Sequence, residues 1–116
     1  MAIEFRIEDE AVNAATHVVT VHGEVDLFTV PEFKDRIAGP IEAGKTRVIV
    51  DLSDVSFIDS SSLGVLIGAH KRLAAEGGDG LVVVVADRAI ANTLKITGLD
   101  QVFEIVANRE EALAAG

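Results

Sequence analysis

Three consecutive serines, Ser60-Ser61-Ser62, follow Asp59 at the point where a β-branched run gives way to residues with helical spacing. Two kinds of chemistry suit that position. Ser or Asp at a helix start accepts a backbone N–H bond and stabilises the helix by about 1 kcal/mol, which is capping and nothing more. Capping does not need three hydroxyls. A hydroxyl exposed at a helix N-terminus also lies beside free N–H groups and the positive end of the dipole, which favour an anion such as phosphate. Ser60 could carry a phosphoryl group there without unfolding the helix.

A serine at a strand-to-helix turn also resembles a hydrolase nucleophile. The G-x-S-x-G pattern is absent, and a nucleophilic serine needs a histidine within hydrogen-bond reach. His70 lies ten residues along the same helix, about 15 Å away at a rise of about 1.5 Å per residue, so it cannot be the base. It falls in the apolar stripe, as a boundary or satisfied core histidine does. His17 and His22 flank a strand and share no ligand spacing that suggests a metal. Gly77-Gly78-Asp79-Gly80 follows a helix and enters a strand, the reverse of a phosphate-binding loop, and reads as a helix stop and a turn. Gly23-Glu24-Val25-Asp26 ends a strand. Its carboxylates are two residues apart and would share a face if the strand continued. No catalytic residue, cofactor or metal is indicated.

The elements that must hold Asp59 and the serines follow from periodicity. Ile3-Phe5-Ile7 alternate with polar residues as a strand; Glu8 to Ala15 read as a turn; Val18 to Val21 form a second strand ended by Gly23. Thr29 offers a cap and Pro31 suits the first turn of a helix carrying Phe33, Ile37 and Ile41, broken near its end by Gly39-Pro40. Arg47 to Leu52 and Leu81 to Ala86 are short β-branched runs that read as central strands buried on both faces. Between them Leu63, Leu66, Ile67, Leu73 and Ala74 mark a helix from near Ser60 to just before Gly77, so Ser53 to Gly64 is the connection. Asp87 caps a third helix through Ile90 and Leu94 to Ile96, stopped by Gly98. Val102 to Val106 is a last strand, and Asn108 with Glu111 has capping-box spacing for a final helix. The order is ββαβαβαβα, an α/β fold around a mixed, largely parallel sheet.

Composition narrows the class. A length of 116 residues with 49% hydrophobic residues suits one domain with its own core, here residues 1–116. Aromatics are only 4%, so the core is expected to be aliphatic with the five Phe as its largest pieces. The absence of cysteine excludes disulfides and thiolate chemistry. Met1 to Asp9 shows no basic stretch leading into an apolar one, and no apolar run approaches the roughly 20 residues of a membrane span, so a cytoplasmic protein is expected. Ten Lys and Arg against 19 Asp and Glu give a net charge of −9, which repels nucleic acid and anionic lipid and favours a basic protein partner.

V-S-F-I-D-S-S-S-L-G at Val55 to Gly64, with G-E-V-D at Gly23 to Asp26 and I-T-G-L-D-Q-V-F at Ile96 to Phe103, resembles the STAS domain of bacterial anti-sigma factor antagonists over essentially the whole chain. The resemblance implies a STAS-like fold and a phosphoprotein without enzymatic activity that regulates transcription by partner switching. The unphosphorylated form would bind an anti-sigma factor that is also a serine kinase, freeing a sigma factor. Phosphorylation would release it, and a PP2C-type phosphatase would reset it. Carried over, the motif aspartate is Asp59, the phosphoacceptor is Ser60, and Asp26 is the acidic position near the acceptor. Glu24, Asp26, Asp59, Ser60, Ser61 and Ser62 are then the expected partner-binding residues. The family usually has glycine where Ser62 stands; an added CH₂OH there would hinder close approach by the partner and makes Ser61 an alternative acceptor. A second role compatible with the resemblance is a STAS interaction module of a stress-signalling or transport complex, with the serine serving only as a cap.

Overall fold

The computed structural model describes residues 4–114, and its centre is built from the two β-branched runs. Strand β3 (Arg47–Ile58) is buried from Arg47 to Leu52, and β4 (Gly80–Val84) is buried along its length. Branched side chains pack well on a pleated surface covered on both faces. The two strands run parallel, with Val48 opposite Leu81 and Val50 opposite Val83. Strands β1 (Arg6–Ala11), β2 (Thr16–Val25) and β5 (Glu104–Val106) complete a sheet in the order β1-β2-β3-β4-β5, parallel except where β1 meets β2.

A right-handed crossover between sequential neighbours always sets its helix on the same side of the sheet. Helices α1 (Val30–Glu42), α2 (Ser60–Ala75) and α3 (Arg88–Ile96) accordingly share one face, where Phe33, Ile37, Leu66, Leu73 and Leu94 close over Val19, Val50 and Val83. The short α4 (Arg109–Ala114) covers part of the other, Ala112 packing with Val18, Ile49, Val82 and Val84. Two arginines fasten it: Arg47 donates to the Ala112 carbonyl at 2.8 Å, and Arg109 reaches the buried Asp51 carboxylate at 3.2 Å. The order is the expected ββαβαβαβα. Among the described residues no helix is long and apolar enough to cross a membrane.

Several boundaries differ from those read in the sequence. Ile3 lies outside the described residues. The segment taken as a turn, Glu8 to Ala15, is strand as far as Ala11. Its charges sit on an edge strand and find partners there, Asp9 with His17 and Arg36, Glu10 with Arg109. Asn13 makes the turn, its side-chain oxygen accepting from the N–H groups of Ala15 and Thr16. Strand β2 does not stop at Gly23, whose φ of 95° accommodates a register shift, and runs on to Val25. Strand β3 continues through Ser53 to Ile58, so half of the expected connection is strand, paired with the last residues of β2. Helix α1 passes through Gly39-Pro40 unbroken. Pro40 lies in the last turn, where few bonds remain to be lost, and its ring is buried in the core. Strand β4 ends at Val84, before Ala86, and a 3-10 turn at Leu99–Gln101 shortens β5 to three residues. Two phenylalanines expected in the core are outside it: Phe28 is 93% exposed and Phe57 is 47% exposed.

Candidate functional site

Parallel pairing of β2 with β3 brings two segments together that are far apart in the chain. Glu24 lies opposite Phe57 and Val25 opposite Ile58, so the residues leaving the two strands, Asp26 and Asp59, emerge at the same edge of the sheet. Asp59 has extended backbone and is the N-cap of α2. One oxygen of its carboxylate, Oδ1, accepts from the Ser61 hydroxyl at 2.5 Å, the Ser62 hydroxyl at 3.1 Å and the Ser62 N–H at 3.2 Å. The Ser61 hydroxyl is the largest influence holding the Asp59 carboxyl below its ordinary range; desolvation opposes it, and the bonds from Ser62 add to it.

The three serines divide into three situations. Ser60, the first residue of α2, is exposed, and no hydrogen bond of its side chain is found among the described residues. Ser61 is half-buried with its hydroxyl committed to Asp59. Ser62 is fully buried and its hydroxyl lies 3.0 Å from the Val25 carbonyl, tying the start of α2 to the end of β2. Direct contact with a partner, expected of all three, is therefore closed to Ser62 in this conformation. Its CH₂OH occupies the interior instead of projecting toward whatever docks outside.

Glu24 and Asp26 do not share a strand face, because β2 ends between them. Glu24 remains half-buried on the strand. Asp26 turns into the following loop, its carboxylate accepting from the N–H groups of Phe28 at 2.9 Å and Thr29 at 3.1 Å. Thr29, the expected cap of α1, makes no side-chain cap bond to that helix; its hydroxyl accepts from the Asp26 N–H and lies 3.1 Å from the Glu24 carbonyl. This network fixes a tight loop that lifts Leu27 and Phe28 into solvent, 72% and 93% exposed. Neither was singled out from the sequence. The available signal was a Leu-Phe pair standing between an acidic turn and a helix, outside the Phe33-Ile37-Ile41 stripe of that helix.

Elsewhere the histidines serve the fold. His70 accepts the Leu81 N–H at 3.2 Å and meets Phe103 edge-on, the satisfied boundary role expected of it. His17 lies 2.9 Å from Asp9, and the two ring nitrogens of His22 face Asp54 and Glu8. Among the described residues no group of three or more potential ligands converges on a point where a metal could be held. Gly77 and Gly78 close α2, their N–H groups donating to the carbonyls of Ala74 and Leu73.

The chain and its fold have known counterparts. The STAS domain family matches residues 6–112. The anti-sigma-B factor antagonist of Staphylococcus aureus (strain NCTC 8325 / PS 47) is 33% identical over 87 residues, 75% of this chain and 80% of the relative. Among solved structures, an anti-sigma factor antagonist from Mycobacterium paratuberculosis superposes with a TM-score of 0.87 at 28% identity, covering 97% of this chain and 93% of the other. The Bacillus cell fate determinant SpoIIAA in its phosphorylated form gives 0.72 at 25% identity, with 97% and 98% covered. With the match spanning nearly all of the described sheet and helices, the chain belongs to the STAS domain family.

Proposed function

We propose that this protein is an anti-sigma factor antagonist switched by phosphorylation of Ser60. The observation that carries the reading is the division of labour among the serines: Ser61 and Ser62 are committed to Asp59 and Val25, while the Ser60 hydroxyl is exposed and makes no hydrogen bond among the described residues. In its unphosphorylated form the protein binds an anti-sigma factor with serine kinase activity through the edge bearing Asp59, Ser60, Ser61, Glu24 and Asp26. Leu27 and Phe28 supply the apolar anchor, which the acidic residues alone lack, and Ser62 acts from inside by positioning α2. Binding frees a sigma factor.

The kinase transfers a phosphoryl group from ATP to the Ser60 oxygen, and a PP2C-type phosphatase removes it. The added charge of about −1.5 to −2 is favoured by the α2 dipole and opposed by the neighbouring Asp59, so the domain stays folded. Release follows from repulsion at the interface. A phosphate held about 4 Å from a partner carboxylate costs roughly 4 kcal/mol per unit charge at an effective dielectric of 20, and half of that already weakens binding more than tenfold. Support comes from relatives named as antagonists and from the solved phosphorylated form of SpoIIAA.

A second reading makes the protein an interaction module in which the serines only support the Asp59 cap of α2, favoured by the bonds Asp59 receives from Ser61 and Ser62. Incubation with candidate serine kinases and ATP, followed by mass-spectrometric mapping, separates the two. Phosphate on Ser60, lost in Ser60→Ala, is expected; full phosphorylation of the Ser60→Ala variant would move the acceptor to Ser61 and refute the assignment.

A further inference from the structure

Helices α1 and α2 run side by side in the same direction, with Glu42 near the end of one reaching Arg72 near the end of the other at 3.6 Å. Between them lies an open apolar groove of about 230 Å³ with Ile37, Ile41 and Ala69 along its floor. Lys34 stands at one end and Arg72 at the other. In a chain of net charge −9, both charged side chains lining this groove are cations. Glu42 offsets Arg72 only weakly, since the two side chains are 64% and 44% exposed. Lys34 has no ion-pair partner among the described residues.

Gly68 forms part of the wall of the groove. A Cβ built on Gly68 meets no atom within 4 Å, so the groove is open at this wall and a larger side chain there would enter it.

We propose that the α1–α2 groove is a second docking surface, separate from the Ser60 edge, and that its occupant is an acidic amphipathic helix of a partner protein. The apolar stripe of such a helix would lie over Ile37, Ile41 and Ala69. Arg72 pairs with Glu42, eight residues after Lys34 on α1, so the two cations stand about two helical turns apart along the groove, the separation of positions i and i+7 of a helix. Carboxylates at those positions reach Lys34 and Arg72 together. This assignment does not depend on Ser60 being phosphorylated.

The test titrates isotope-labelled protein with a synthetic helical peptide carrying a leucine stripe flanked by glutamates, and with the same peptide bearing lysines in their place. The expected result is saturable amide shifts at Ile37, Ala38, Val65, Gly68 and Ala69 with the glutamate peptide and none there with the lysine peptide. Gly68→Leu, which fills the groove, and the double variant Lys34→Glu with Arg72→Glu should each weaken binding by about tenfold or more. The charge-reversal pair lies on the surface and decides the matter should Gly68→Leu fold poorly. Shifts centred on Leu27 and Phe28, equal response to both peptides, or unchanged affinity in the charge-reversed variant would overturn the proposal. So would sedimentation showing that a second copy of the chain fills the groove.

Discussion

The buried hydroxyl of Ser62 lies 3.0 Å from the carbonyl of Val25, thirty-seven residues earlier, joining the first turn of α2 to the final residue of β2. Ser62→Ala deletes the one hydroxyl proton available to the Val25 carbonyl and the Asp59 carboxylate. The expected loss is about 1 kcal/mol, the net worth of a buried hydrogen bond, rising toward about 3 kcal/mol where the carbonyl is left unsatisfied. Urea unfolding measures it. A variant as stable as the parent would show that the contact contributes nothing, and phosphorylation of Ser60 should persist in either case.

The Asp59 carboxyl titrates below its ordinary value of 3.8, chiefly through the Ser61 hydroxyl. A carboxyl whose folded value is depressed contributes stability that is present above the unfolded value and lost as pH falls through the folded one. The contribution of Asp59 is therefore intact at neutral pH and disappears only below pH 3.8. Carboxyl NMR titration should show the midpoint of Asp59 moving back up in Ser61→Ala. An unmoved midpoint would assign the depression to the Ser62 bonds.

Phe28 is 93% exposed and supports no core packing. Phe28→Ala should leave stability within about 0.5 kcal/mol of the parent. Affinity for the anti-sigma factor should fall by about 2 kcal/mol, a typical aromatic hot spot and roughly thirtyfold. Calorimetric binding with the purified partner checks this, and unchanged affinity would remove Phe28 from the interface.

Gly80 opens β4 at φ 88°, and a Cβ there would lie 2.8 Å from Cε1 of His70. Gly80→Ala combines a strained backbone with that clash and should lose more than about 1 kcal/mol. Adding His70→Ala relieves the clash but leaves the strain and orphans the Leu81 N–H. Thermal melts of the single and double variants should show partial recovery at best; full recovery would mean that backbone strain is negligible.

Periodicity alone settled the element order. The β-branched runs at Arg47 to Leu52 and Leu81 to Ala86 admit no amphipathic alternative, and Asp59 and Asp87 sit where a polar side chain must accept helix N–H groups, as both do. The serine-bearing helix start was legible for the same local reason. What local pattern could not reveal was pairing over distance. Ser53 to Ile58 became strand because the end of β2 lies alongside to bond it, and Glu8 to Ala11 became strand because it pairs with β2 while Arg36 and Arg109 meet the charges of Asp9 and Glu10 that otherwise signal a turn. Pro40 stayed helical because the core covers its ring.

The serines show the same division. Sequence placed three hydroxyls after an aspartate and the family resemblance ranked Ser60 first among them, but their different surroundings belong to the tertiary structure. It turned Ser62 inward to a carbonyl of β2, spent Ser61 on Asp59 and left Ser60 in solvent. Likewise Phe28, which composition assigns to the core, is outside because the Asp26 loop holds its backbone away from both packed faces. Chain order determines which residues follow one another; which of them find partners depends on the pairing of β2 with β3, and that is a property of the folded sheet.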